Sequence, residues 1–288
     1  MSQIEMATPQ SASVERGEPI ISLRDVGIQF ARNRRKHRSL RDLLFRGELG
    51  PKDRGEFWPF RHVSFDIYPG ESIGVVGRNG VGKSTLLSMI AGVLIPDEGE
   101  VTVRAGVAPL IALTGGFEGE LTGRENINLV AGLHGMSDAE IAAEFDDIVE
   151  FSEVGEFLDT PFKHYSSGMK VRLAFSVVSR LNEPIMLVDE VLAVGDRKFK
   201  QKCLARIEKM LAQGTTLFYV SHSEGSLKKF CERGLYLNGG GLSMDGPIEA
   251  VIEQYERDLG VWKDPTGNEE LVDDLSSTET DAGDDFVG

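Results

Sequence analysis

Two kinds of apolar spacing divide the chain. From Ile20 to Phe30, and again from His62 to Tyr68, apolar and polar residues alternate, the period of antiparallel strands with one buried face. Ser72 to Val76, Ile185 to Val188 and Thr215 to Val220 are short, continuous, β-branched runs, as parallel strands require when both faces are covered. Apolar residues recur at helical intervals over Lys83 to Leu94, Asp138 to Phe151, Gly168 to Leu181, Lys198 to Ala212 and Ile248 to Arg257. Strands alternating with helices predict an α/β fold with a parallel sheet and an antiparallel patch made by the N-terminal strands. Asn126 to Phe157 reads as consecutive helices, a second lobe. The pattern assigns residues 20–259 to the folded unit, with 31–60 as an insertion and about 123–182 as a helical subdomain. Residues 1–19 and 260–288 are expected to be flexible.

Composition narrows the class. The chain has 288 residues, 41% of them hydrophobic, which is enough for a sizeable core. Its two cysteines, Cys203 and Cys231, stand far apart and form no C-x-x-C pair, which excludes a disulfide framework or cysteine-rich zinc site and points to a reducing compartment. The most apolar stretch, Leu86 to Ile95, is interrupted by Ser88 and falls short of the roughly 18 residues a membrane span needs. No apolar signal core is read in Met1 to Gly17. The net charge is −15, concentrated from Val261 to Gly288, where nine acids stand against Lys263 alone. That balance argues against nucleic acid as a partner.

The chemistry begins where the strand Ser72 to Val76 runs into Gly77-Arg78-Asn79-Gly80-Val81-Gly82-Lys83-Ser84-Thr85, which fits G-x-x-x-x-G-K-[ST] at every fixed position. Glycines let backbone N–H groups wrap a phosphate at a helix N-terminus, where the dipole also favours an anion. Lys83 is expected to reach the β- and γ-phosphates and Ser84 to bind magnesium. Ile185 to Val188, read as the neighbouring strand, ends in Asp189-Glu190. An acid at that strand end lies where ligands bind in open α/β sheets. Asp189 is expected to hold the metal and Glu190 to orient and deprotonate the attacking water. Tyr165-Ser166-Ser167-Gly168-Met169 opens a second helix whose N-terminus suits a phosphate, His222 follows a strand end within reach of a γ-phosphate, and Leu192 to Asp196 follows the acidic pair.

These motifs, together with Gly116-Phe117 and Glu120-Leu121-Thr122-Gly123-Arg124-Glu125-Asn126, resemble those of ABC transporter ATP-binding subunits, over roughly Ile20 to Leu259. Within that family the chain looks most like the Wzt-type subunits that energise export of O-antigens, teichoic acids and cell-wall galactans. The resemblance implies ATP and Mg2+, and a head-to-tail homodimer in which Ser166 and Gly168 cover the partner's nucleotide and Asp196 lies at the seam. It also implies an integral-membrane permease, in two copies, a lipid-linked glycan as cargo, and a peripheral place on the cytoplasmic face of the membrane. Ser167, Gly168, Met169 and Val191 depart from the commonest motif, in the manner of the polysaccharide subgroup. Gly106 to Gly135 contains no Gln, so the usual glutamine that contacts magnesium is missing, and its coupling role is expected to fall on Thr114 to Glu120. An aromatic that stacks on adenine is expected after the first strand: Phe30, with Trp58 and Phe60 as rivals.

Between the first two strands, Arg32, Arg34, Arg35, Lys36, Arg38, Arg41 and Arg46 accompany Leu40, Leu43, Leu44 and Phe45 at helix-compatible spacing. A basic amphipathic segment of this kind suits an anionic membrane surface, or else is a solvated basic face. The family resemblance adds that such an insertion can guard the entry of a lipid-diphosphate-linked glycan. No appended carbohydrate-binding domain is expected in the residues that follow Leu259. The expected function is ATP hydrolysis that drives polysaccharide export. The alternative, a soluble ABC-type ATPase acting on ribosomes or DNA, usually carries two cassettes or a long coiled coil, and one cassette without heptads is seen.

Overall fold

Residues 17–31, 56–111, 114–189 and 196–261 are described by a computed structural model. Along the chain, β1 (Ile21–Ala31), β2 (Glu56–Ile67) and β3 (Ser72–Val76) lead into α1 (Lys83–Ile90), β4 (Glu98–Val103) and β5 (Val107–Leu110). Helices α2 (Gly123–Leu133), α3 (Asp138–Ser152) and α4 (Ser167–Val178) follow, with two short 3-10 turns between α3 and α4. The remainder is β6 (Ile185–Val188), α5 (Arg197–Ala212), β7 (Thr216–Val220), α6 (Glu224–Phe230), β8 (Arg233–Asn238), β9 (Gly241–Pro247) and α7 (Ile248–Asp258).

The continuous apolar runs form the centre. A six-stranded sheet has the order β5-β6-β7-β3-β8-β9, parallel except for β9 on the edge. Every residue of β6 and β7 is buried, because helices and the second sheet cover both faces. The acidic strand is not the neighbour of β3, as the sequence suggests: β7 lies between them, with Val188 paired to Tyr219 and Val220 to Val75. A hydrophobic run carries no record of strand order.

A three-stranded antiparallel sheet, β2-β1-β4, packs alongside. Its second strand begins at Glu56, so residues 56–60, assigned to the insertion, are strand residues paired with β1 up to Phe30↔Phe57 and Ala31↔Glu56. The rest of the basic segment, from Arg32 to Arg46, lies outside the described residues. Helix α1 stops at Ile90 rather than Leu94, because Gly92 takes a left-handed backbone (φ 73°) and turns the chain. Val93 and Ile95, which extended the apolar run, are exposed instead.

Helices α2, α3 and α4 enclose a core of their own, with Ile127, Val130, Ile148, Leu173 and Val177 buried in it. Capping boxes start two of them: Thr122 with Glu125, and Ser137 with Glu140. Helix α5 turns Phe199, Cys203, Ile207 and Met210 toward the main core. Among the described residues, no helix is long and apolar enough to cross a membrane.

Candidate active site

At the carboxyl edge of the parallel sheet lies an open cleft of about 660 Å³, lined by Phe30, Phe57, Pro59, Asn79, Gly80, Gly82, Lys83, Ser84, Thr85, Asp189 and His222. Three strand ends deliver its polar side: β3 the glycine loop, β6 Asp189 and β7, by way of the following turn, His222. The turn between β3 and α1 is fixed by what glycine alone tolerates. Gly82 has φ 104°, and a Cβ there would stand 2.7 Å from the Phe60 ring, while one on Gly77 would stand 2.6 Å from the Leu237 carbonyl oxygen. Lys83 is buried, and its ammonium donates to the carbonyls of Gly77 at 2.7 Å and Arg78 at 3.2 Å. The loop therefore closes around its own lysine, whose charge stands among backbone groups at the start of α1.

The aromatic wall corrects the sequence reading. Phe60 is fully buried beneath Gly82 and belongs to the core under α1. Trp58 points to the other face of β2, where the Arg61 guanidinium lies 4.3 Å from its ring centroid. Phe30 lines the cleft, and so does Phe57, which the sequence did not single out and which pairs with Phe30 across the two strands. The two rings are 41% and 39% exposed, so both present a face to a ligand.

Among the described residues, four of those expected do not line this cleft: Gly77, beneath the loop, and Ser166, Gly168 and Asp196, on the helical side. Ser166 caps α4, its hydroxyl accepting from Met169 N–H at 3.2 Å. Gly168 faces open space: a Cβ there would meet only the Ser166 hydroxyl, at 4.0 Å. Asp196 caps α5, accepting from Phe199 N–H at 2.9 Å, and pairs with Arg172 of α4. The Phe199 amide, and after it the Arg172 charge, hold its carboxyl below the usual carboxylate range. Glu190 and Leu192 lie outside the described residues.

The stretch that lacks a glutamine is held by a residue the sequence motif contained but whose role it did not show. Asn126, fully buried, accepts from Glu118 N–H at 2.7 Å and donates to the carbonyls of Glu118, Leu121 and Thr122. The same segment pairs with the approach to α4, Phe162 N–H donating to Leu121 and Lys163 N–H to Gly119. The chain from Glu118 to Thr122 is thus joined to the residues that precede Ser166.

The donor set fits a nucleotide with its metal. Glycine backbone and a buried ammonium suit phosphates, and the Ser84 hydroxyl and Asp189 carboxylate in the same cleft are the hard oxygen donors that Mg2+ takes beside phosphate and water. Comparison with known proteins agrees. Residues 60–193 match the family model for ABC transporters. The chain is similar to the O-antigen export system ATP-binding protein RfbB of Klebsiella pneumoniae, 39% identical over 243 residues, which cover 83% of this chain and 98% of that one. It is also similar to the teichoic acids export ATP-binding protein TagH of Listeria monocytogenes serotype 4b, 42% identical over 200 residues, 69% of this chain but only 59% of that longer protein. Its fold matches the dimeric post-hydrolysis structure of the ATP-binding cassette MJ0796 with a TM-score of 0.62, at 22% identity, over 79% of this chain and 98% of that one. On the glycine loop, the acid at the β6 end and these likenesses together, the chain belongs to the family of ABC transporter ATP-binding subunits.

Proposed function

We propose that this chain is the ATP-binding and ATP-hydrolysing subunit of an exporter that moves a lipid-linked polysaccharide across the cytoplasmic membrane through a separate membrane subunit. The observation that carries the ATPase reading is the convergence of Lys83, Ser84, Asp189 and His222 on one cleft beside two aromatic rings. The export reading comes from the relatives named for O-antigen and teichoic acid export.

In this reading Phe30 and Phe57 hold the base, and the backbone of Gly77, Asn79, Gly80, Gly82 and Thr85 wraps the phosphates. Lys83 neutralises the β- and γ-phosphates. Ser84 and Asp189 hold Mg2+, which when bound stabilises charge on the departing phosphate oxygens. His222 contacts the γ-phosphate, and Glu190, one residue beyond Asp189, takes the proton of the attacking water.

The second half of each site comes from a partner copy. Gly168 supports this: it is the second residue of α4, and among the described residues nothing needs the missing side chain. A phosphate approaching the N-terminus of α4 does need it. Two such subunits, facing head to tail, serve two copies of a permease from the cytoplasmic face of the membrane. The segment Thr114 to Glu120 takes over coupling to the permease, because Asn126 and the Phe162 and Lys163 amides join it to the approach to α4.

The deciding experiment is Glu190→Gln. ATP binding persists, steady-state turnover is lost, and size-exclusion chromatography with ATP shows a trapped dimer. Turnover near that of the wild type would remove Glu190 from the base role.

A further inference from the structure

The cassette carries two pieces of two different sites. Asp189 belongs to the nucleotide bound by its own glycine loop, and the N-terminus of α4 to the nucleotide of the partner. Between them the structure holds a compact set of charges. Arg172, on α4 beyond Ser166, donates through Nη1 to Glu153 Oε2 at 2.6 Å and through Nη2 to Asp196 Oδ2. Asp196 ends the stretch that leaves Asp189 and starts α5. Lys202, also on α5, closes the set with 2.9 Å to Glu153 Oε1 and 3.0 Å to the Phe151 carbonyl.

Aromatic rings floor this network. The Arg172 guanidinium lies 5.1 Å from the Phe199 ring centre and the Lys202 ammonium 4.7 Å from that of Phe151. Phe151, Phe175 and Phe199 pack on one another at 5.8 to 6.2 Å between centroids. One ring each from α3, α4 and α5 enters the stack. The Arg172 side chain is only 20% exposed, so its two charged bonds fix its direction as well as its place. A planar fork that grips two acids from two different elements holds those elements at one angle, which a lysine cannot do.

We propose that Arg172 is a positioning residue for hydrolysis, tying Asp196, at the start of α5, to the helix whose capped end, at Ser166, meets the partner's nucleotide. Its charge orients Asp196 and α4 together, so that the start of α5 and the phosphate-gripping end of α4 are set as one body. The proposal rests on the shared-site reading given above. It gives Asp196 a place in its own protomer, as the acceptor through which α4 is held.

The test uses the full chain and four variants: Arg172→Met, which keeps length but not charge; Asp196→Asn, which keeps the cap but loses the charge; their double; and Arg172→Lys. Steady-state ATPase activity, ATP affinity of the protomer and ATP-driven dimerisation in the Glu190→Gln background are measured, with thermal melting beside them. A displacement of about 1 Å caused by a change far from the chemistry can cost about a hundredfold in rate, so a displacement of about half that costs about tenfold. Arg172→Met and Asp196→Asn should therefore each lower kcat and weaken dimerisation by about that factor, with ATP affinity of the protomer unchanged. The double variant should be no worse than the poorer single one, because both remove the same bond. Arg172→Lys, which keeps the charge, should also lose rate, since it reaches one acid at a time; thermal melting shows which of the two variants is folded.

Wild-type kcat in the Arg172 variants, additive losses in the double, or a loss explained wholly by weaker ATP affinity would each overturn the proposal. Mixing a Ser166→Arg protomer with a Lys83→Ala protomer isolates the reading beneath it. Partial recovery of activity in that mixture supports shared sites. No recovery in demonstrated heterodimers removes the shared sites and this role of Arg172 with them, whereas recovery alongside wild-type kcat in the Arg172 variants removes only the role of Arg172.

Discussion

Phe30 and Phe57 face one another across β1 and β2 and turn both rings to the cleft, whereas Trp58 turns away and Phe60 lies in the core. A ring that stacks on a base is worth about 1 kcal/mol, about a fivefold change in affinity. Phe57→Ala is therefore expected to raise the KM for ATP by about that factor with kcat nearly unchanged. Trp58→Ala should leave both constants alone; the reverse result, read from ATPase titrations, would move the base to the other side of β2. Lys83, Ser84 and Asp189 could be read from the chain because the motif is local: loop, lysine and hydroxyl are contiguous, and an apolar run announces the acid. Phe57 could not. Its strand begins inside a basic stretch, and register shifts between β1 and β2 spoil the alternation that would separate Phe57 from Phe60. Burial also decides the cysteines. It pushes the Cys203 and Cys231 thiols up to about 12. Neither should be alkylated by iodoacetamide in the folded protein near pH 8, and both should react once denaturant unfolds it. Because the folded state keeps these protons, the stability they support is present below the ordinary thiol range and declines as pH rises from there toward 12.

Helices and buried strands were legible where apolar period and capping agreed, as in α3, which begins at the expected Asp138 behind a Ser137 cap. They were not where the strands were short and polar. Strand β4, Glu98 to Val103, carries glutamates and a glycine, and pairs with β1 only through long-range contacts that local sequence does not encode. The loop between β5 and α2 shows the same limit at an element junction, since nothing in its residues announces that Asn126 holds it. Four hydrogen bonds converge on that buried amide, and each buried group left unmatched costs about 1 to 3 kcal/mol. Asn126→Ala should lower the unfolding free energy by about 3 kcal/mol, measured by urea denaturation. Asn126→Asp tests the direction of the bonds. Its carboxylate keeps an acceptor for the Glu118 amide but turns oxygen toward three carbonyls, so it should be no better than alanine. A neutral aspartate variant would show that the donor side of Asn126 carries no weight.

Across the molecule, the parallel sheet gathers the cleft at its carboxyl edge, and the same edge receives the end of the last helix. Tyr236, on β8 beside the phosphate-loop strand, donates its hydroxyl to Asp258 at 2.9 Å, and Asn238 reaches the same carboxylate oxygen at 3.3 Å. Gln254 holds the other oxygen at 2.8 Å. Tyr236 is 2% exposed, and the carboxylate that takes its hydroxyl stands at the exposed end of α7. Burial, and then the Asp258 bond, push its phenol up to about 12, so it stays a donor throughout the working range. The fold is therefore closed by Asp258, while the acid-rich residues 262–288 follow with little apolar content. Two truncations separate these contributions. A chain ending at Val261 is expected to melt with the full-length protein and to hydrolyse ATP at the same rate. A chain ending at Arg257 keeps almost all of α7 but leaves the Tyr236 hydroxyl without its acceptor, at a cost of about 1 to 3 kcal/mol, and should melt measurably lower. Because Leu237 lies against Gly77, the shorter chain should also bind ATP more weakly. Equal melting of the two truncated chains would show that Asp258 does not close the fold, and a lower melting temperature already in the longer one would place the boundary of the folded unit beyond Val261.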